Sequence, residues 1–302
     1  MEQVLKPQVT IVTHNSKFHT DDIFAVATLL LVLEKEYSVT VIRSRDKEII
    51  NAADYVVDVG DEYHPERNRF DHHQEGRAGE RENGIPYASF GLVWKKYGVT
   101  LCGNEYVSDQ IDKKLIQPTD ASDNGIKIFS STIDGVHPYT LDSLRRAFVP
   151  SWKEGFKNID DVFLELVTSA KKLIKREIIK NKDELEAKES VERAYVESSD
   201  KRLVIFDTYY PSEDFIVAFP EPLFIVFPSS VDGTWLLQTI QNDSESRINR
   251  KDLPETWAGK SDTDLENITG VPGSIFCHIN RFLAVAKTKE AILALAHIAL
   301  NS

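Results

Sequence analysis

Three short, almost uniformly apolar segments open this sequence, with helical stretches between them. Val9-Thr10-Ile11-Val12 comes first, Val39-Thr40-Val41-Ile42 second, and Tyr55-Val56-Val57-Asp58-Val59-Gly60 third. Ile23 to Leu33, between the first two, is nearly all apolar, which suits a buried helix better than a surface one. Asp46 to Ala53 reads as a short helix before the third strand. Strands this apolar bury both faces, and strands joined through helices run parallel. The pattern therefore predicts a mainly parallel sheet flanked by helices. Ligands of such sheets collect beyond the carboxyl ends of the strands, and His14 and Asp58 fall at or near those ends.

Further along, Asn68 to Gly84 is polar and reads as a loop, and Tyr87 to Tyr97 as a helix followed by a turn at Gly98. Val107 to Gln117 is a helix expected to close before Pro118, because the residue ahead of a proline avoids the α region. Leu141 to Phe148 is a helix ending at Pro150. From Phe156 to about Ser198 breakers are few, and Val162, Leu166, Ala170, Leu173, Ile174 and Ile178 recur at helical spacing, so one or two long helices join the halves of the protein. Lys171-Lys172 and Lys175-Arg176 are mixed with Glu177, Glu184 and Glu186, as on a solvated helix face. Beyond Lys201 the segments 203–206, 223–227, 235–240 and 274–278 are strand-like, and Glu290 to Leu300 is a final helix with Thr288 as its N-cap. The expected fold class is α/β: a catalytic domain over 1–155, a long helical linker over 156–199 and a smaller α/β domain over 200–302.

Bulk properties narrow the function. A net charge of −12 lacks the basic footprint of a protein that clamps a long duplex. Short or single-stranded substrates remain compatible, since a local groove of Lys and Arg can hold a few phosphates and bound cations add positive charge where it is needed. Two cysteines, Cys102 and Cys277, make no disulfide framework. The first residues carry neither a signal-peptide core nor an Arg-rich transit segment, and no apolar run approaches the ~18 residues of a membrane span. The expectation is a cytoplasmic protein with no membrane partner.

Four clusters carry the chemistry. His14, His19, Asp21 and Asp22 lie close together, Asp58 stands alone, Asp71-His72-His73 are consecutive, and Asp120, Asp123, Asn124 and Gly125 follow. Imidazole with carboxylate suits Mn, Fe, Zn or Mg rather than a soft metal. Each cluster also has a plainer reading. Asp21 or Asp22 could cap the helix entered at Ile23, and Asn124-Gly125 is a turn signal. A lone Asp in an apolar strand is costly unless loop amides or cations satisfy it. Adjacent histidines in a strand point to opposite faces, so one imidazole goes to metal and the other to substrate phosphate or to a partner such as Asp71.

The order of these clusters resembles the DHH phosphoesterase superfamily. Their narrower forms, His14-Asn15-…-Phe18-His19-…-Asp21, Val56-Val57-Asp58-Val59-Gly60 and Phe70-Asp71-His72-His73-Gln74, resemble the MYG1 exonuclease family (UPF0160). Asp120-Ala121-Ser122-Asp123-Asn124-Gly125, the run Arg250 to Gly259 and the run Gly270 to His278 continue the resemblance. The first cluster departs from the superfamily spacing, which leaves Asp21 and Asp22 as alternatives for the second acidic ligand, with Asp21 favoured. The resemblance then implies His14, His19, Asp21, Asp58, His72 and Asp123 as metal ligands, with Asp58 shared, Asp120 as a helper, and Asp58, Asp71, His72 and His73 as the catalytic set. Six such ligands suffice for two cations ~3.5–4 Å apart that activate water and stabilise the leaving oxygen. Manganese is expected, with magnesium or cobalt as substitutes. Arg250, Lys251, His278 and Arg281 are candidate phosphate contacts and Trp235 or Trp257 candidate base-stacking surfaces, each with an ordinary structural role as the alternative. The resemblance implies a metal-dependent phosphodiesterase, a 3′-5′ exonuclease on RNA or a short oligonucleotide. The rival expectations are a hydrolase of pyrophosphate, nucleoside bisphosphates or cyclic dinucleotides, and a non-catalytic metal-binding scaffold. A homo-oligomer is compatible with either enzyme.

Overall fold

The computed structural model describes residues 6–155, 157–243 and 248–302. It divides into two compact units, Met1–Asn181 and Lys182–Ser302, each with its own five-stranded sheet.

In the first unit β1 (Gln8–Thr13) pairs in parallel with β2 (Ser38–Arg43) on one side and with β3 (Tyr55–Val57) on the other. Beyond β3 lie β5 (Arg69–Phe70), parallel, and β4 (Tyr63–His64), antiparallel at the edge. The mainly parallel sheet is thus as expected. Helix α1 (Thr20–Leu33) is buried along nearly its whole length, which explains its lack of a polar face. It packs with α3 (Ser89–Cys102), where Phe24 meets Phe90 at 5.3 Å between ring centres. Helix α2 (Lys47–Ala52) is capped by Asp46, whose Oδ1 accepts from the N–H groups of Glu48 and Ile49.

Several expectations needed correction. The third strand stops at Val57, and Asp58 follows it with φ 55°. The supposed loop over 68–84 contains β5, two residues long and too short to show a period. No turn breaks the chain at Gly98: α3 runs on to Cys102 and ends at Gly103 in the left-handed conformation. A Cβ on Gly98 would lie 2.7 Å from Trp94 Nε1 and from Ser108 Oγ, so this glycine marks close helix packing. Nor does Pro118 end a helix. Chain over α4 (Glu105–Ile111) passes through a π-helical turn, Asp112–Ile116, directly into α5 (Gln117–Asp123), and Pro118 occupies the first turn of α5, where its missing N–H is tolerated. Helix α6 (Leu141–Phe148) is as expected.

One helix of 39 residues, α7 (Ile159–Glu197), carries the chain from the first unit into the second; its expected start at Phe156 lies outside the described residues. The second unit contains β6 (Leu203–Ile205), α8 (Glu213–Ile216), β7 (Phe224–Pro228), β8 (Trp235–Thr239), α9 (Asp262–Thr269), β9 (Ser274–Cys277), β10 (Leu283–Ala286) and α10 (Lys289–Asn301). Its strand order is β6-β7-β8-β10-β9, with only β6 and β7 parallel. Phe224, Leu237, Ile292 and Leu295 fill one core and Val191, Phe206, Ile225 and Phe227 the other. Thr288 caps α10 by accepting from Ala291 N at 3.2 Å. Strand β10 and helices α8 and α9 were not anticipated. Among the described residues no helix is long and apolar enough to cross a membrane.

Candidate metal centre

Order β2-β1-β3 makes the chain leave β1 to one side and return on the other, so a crevice opens between the carboxyl ends of β1 and β3. The four sequence clusters meet there. His14 follows β1, Asp58 follows β3, Asp71-His72-His73 follow β5, Asp21 and Asp22 lie in the first turn of α1, and Asp123 ends α5. A left-handed backbone is uncommon for any residue but glycine and is tolerated best by Asn and Asp. At Asp58 it is secured by the N–H bonding to Phe70 O at 3.2 Å.

The two carboxylate oxygens of Asp58 face different groups. Oδ2 lies 3.2 Å from His14 Nε2, which is itself 3.1 Å from Asp22 Oδ2. Oδ1 lies 3.3 Å from His72 Nε2, which is 3.2 Å from Asp123 Oδ2 and 3.9 Å from Asp21 Oδ2. His14, His19 and Asp58 form one set of convergent ligand atoms; Asp58, His72 and His73 form another, and His19, Asp21 and Asp123 a third. Within each set the atoms lie within 4.8 Å of one another.

These side chains fit divalent cations. His14 Nε2, His72 Nε2, both oxygens of Asp21, and Oδ2 of Asp22 and Asp58 are buried without a hydrogen-bond partner. Asp21, Asp22 and Asp58 are at most 2% exposed. Three buried carboxylates with orphaned oxygens would be prohibitive without compensating charge. Ligand atoms about 2.0–2.2 Å from one octahedral cation stand about 3 Å apart, close to the spacings found here. Protons supply the compensation in the polypeptide alone. Burial would lower His14, but Asp22 and Asp58 override it and raise it to about 10. Burial opposes His72 likewise, and Asp123 and Asp58 raise it to about 10. Burial and the surrounding carboxylates raise Asp21, whereas for Asp58 the two imidazoles outweigh burial and lower it.

Other residues hold the frame. Asp71 Oδ1 accepts from the N–H groups of His72 (2.7 Å) and His73 (3.2 Å) and meets His73 Nδ1 at 2.7 Å, while Oδ2 accepts from Asp61 N at 2.7 Å. Asp71 therefore orients His73, which is half exposed. Asp22 is the residue on which the sequence was least decisive: its Oδ1 accepts from His19 N at 3.0 Å, so it fixes the start of α1 while Oδ2 faces His14. Ser89 donates to Asp58 Oδ1 at 3.1 Å.

Asp120 is not brought into the cluster. Arg81 donates to its Oδ2 at 2.8 Å and Gly91 N to its Oδ1 at 3.1 Å, and burial lifts the carboxyl to about 7. The four phosphate-contact candidates lie in the second unit, each in a structural contact. Arg250 donates to three backbone carbonyls, of Val217, Phe219 and Pro222, and Lys251 to those of Leu300 and Ser302. Arg281 pairs with Asp252 at 2.8 Å, and His278 Nδ1 accepts from Asn280 N. Trp257 is 2% exposed, which leaves it no face for a base. Trp235 is partly buried beneath Lys289. Unanticipated cations line clefts at the cluster itself. Arg45 and Lys47 line a cleft of about 540 Å³ with His14, His19, Asp58 and His73, and Arg145 and Arg146 line a second, of about 250 Å³, with His19, His73 and Asp123. Single surface arginines and lysines carry no sequence pattern that would have marked them.

Fold and site together define an α/β protein with a buried imidazole–carboxylate cluster, suited to metal, at the switch point of a parallel sheet. The sequence model of one family, described as an uncharacterised protein family (UPF0160) and labelled MYG1 exonuclease, matches residues 10–300. The chain is 30% identical to a MYG1 protein of Dictyostelium discoideum, over 97% of each chain. It is also 30% identical to a MYG1 protein of Caenorhabditis elegans over 96% of this chain and 94% of that one, and 29% identical to the MYG1 exonuclease of Homo sapiens over 95% and 85%. The protein belongs to the MYG1 exonuclease family.

Proposed function

We propose that this protein is a metal-dependent phosphodiesterase that releases nucleotides from the 3′ end of single-stranded RNA. The observation that carries the reading is Asp58, whose two oxygens face two separate groups of nitrogen and oxygen ligands. Membership of a family whose mammalian proteins are named exonucleases supports hydrolysis of a nucleic acid. His14, His19 and Asp58 would hold one cation, and Asp21, Asp58, His72 and Asp123 the other; manganese suits a set so rich in carboxylate. Two such cations, when bound, supply a water of lowered pKa and Lewis acidity at the reacting phosphate. The protein's own groups do the positioning. Asp71 anchors His73 through Nδ1, so that its Nε2 is left for a phosphate oxygen. Arg45 and Lys47 line the cleft where the chain of phosphates would approach. The net charge of −12 favours a short substrate, and for that reason a small phosphoester is the second reading.

The test is nucleotide release from end-labelled single-stranded RNA, with manganese and with chelator. Stepwise loss of mononucleotides from the 3′ end, abolished by chelator, is expected. A folded, manganese-loaded protein that leaves RNA intact but cleaves a nucleoside bisphosphate would replace this reading with the second.

A further inference from the structure

Two contiguous cavities lead away from the cluster along α5 and α6. The nearer is the one lined by His19, His73, Asp123, Arg145 and Arg146. The farther, of about 410 Å³, has an apolar wall that includes Ile126, Ile128, Phe129 and Leu141. Thr20, Thr119, Ser122 and Asp142 line both, so the two share a boundary. Cations line both: Arg145 and Arg146 beside the cluster, and Lys114 and Lys127 around the apolar wall beyond it.

The arginines differ in freedom. Arg145 is held by Asp142 and by Phe18 O at 3.2 Å and is 12% exposed. Arg146 gives its Nε to Asp142 at 2.7 Å and is 73% exposed, with no other hydrogen bond among the described residues. Asp142 matches one of the two positive charges, so the pair keeps a net positive charge. Phe129 and Ile128 are about half exposed. Thr20, on the shared boundary, has a buried hydroxyl without a hydrogen-bond partner.

We propose that this groove binds one nucleotide of the substrate beside the scissile phosphate, with Arg146 on its phosphate and its base against Phe129. A guanidinium recognises phosphate oxygens through a rigid fork of donors. Aromatic side chains stack on any base, so the subsite would carry no strong sequence preference. Continuity with the ligand cluster and the cations lining both chambers favour a nucleotide over an apolar peptide as occupant. The choice of a nucleotide rests on the phosphodiesterase reading.

The test is calorimetric titration of the full chain, in manganese, with adenosine 5′-monophosphate, ribose 5-phosphate and inorganic phosphate. On the unaltered protein the nucleotide should bind at least about tenfold more tightly than ribose 5-phosphate. Phe129→Ala should erase that advantage. Arg146→Ala should weaken both phosphorylated ligands about tenfold and keep their ratio. Both side chains are exposed, so neither truncation opens a core. Equal affinity for the two ligands, no binding of the nucleotide, or an advantage that survives Phe129→Ala would overturn the subsite. Failure of the phosphodiesterase reading appears elsewhere, as intact RNA in the release assay, whatever the nucleotide affinity.

Discussion

Asp58 occupies a backbone conformation that costs of order 1 kcal/mol or more and is kept where the surroundings over-determine it. Asn tolerates the same conformation and keeps an acceptor for Ser89, but removes the charge between the two ligand groups. Asp58→Asn should therefore fold normally by circular dichroism and lose at least a hundredfold in hydrolysis, since even changes to groups behind metal ligands cost about 10–100-fold. Manganese at a hundred times its dissociation constant should stabilise the unaltered protein by about 2.7 kcal/mol, a rise of several degrees in Tm, and the variant by far less. An unchanged manganese response in the variant would remove Asp58 from the site. Gly91 makes a second residue-scale case. A Cβ there would stand 1.9 Å from Asp120 Oδ2, which is backed by Arg81. Gly91→Ala should destabilise by about 1–3 kcal/mol or more through overpacking, read as a lower denaturation midpoint. At this scale His14, Asp58 and Asp71-His72-His73 were legible because ligand chemistry needs those side chains in short runs at strand ends. Arg146 and Ser89 were not, since an exposed arginine and a buried serine look in sequence like many others.

Elements were legible in proportion to their length and periodicity. Helix α7 declares itself over 39 residues, and α1 by an unbroken apolar run. Strand β10, four residues Leu-Ala-Val-Ala, is framed by no strong turn signal and was missed. Gly98 and Pro118 misled for one reason: both usually punctuate chain, and here packing overrides local preference. Gly98 lets α3 approach Ser108, and the π-helical turn over Asp112–Ile116 delivers the chain to Pro118 already helical. That junction matters for the site because α5 carries Asp123. The cap of α10 was legible, and Thr288→Ala should cost about 1 kcal/mol of stability, seen as a shift in urea midpoint with unchanged slope. A neutral result would mean that another group satisfies Ala291 N.

At the scale of the whole molecule the charge of −12 has to be reconciled with the polyanionic substrate proposed above. Part of it is concentrated where cations would cancel it, in Asp21, Asp22, Asp58 and Asp123 around the cluster. The exposed remainder repels a long phosphate chain. Cations lining the clefts beside the cluster include Arg45, Lys47 and Arg146, enough for about three phosphate contacts. Single-stranded binding loses about 0.7 in logarithmic slope per contact as salt rises, so KM for a short RNA should rise with a log–log slope of about 2. Between 50 and 200 mM salt that is an increase of roughly 15-fold, whereas six to ten contacts on a duplex would give 10³–10⁵. A duplex of the same length should also be degraded more slowly, because a net charge of −12 lacks the basic footprint of a duplex-clamping protein. Steady-state kinetics on a ten-nucleotide RNA across this salt range decides the matter. A slope near 2 confines recognition to the neighbourhood of the cluster, and a slope above about 4 requires a longer basic track than these three side chains provide.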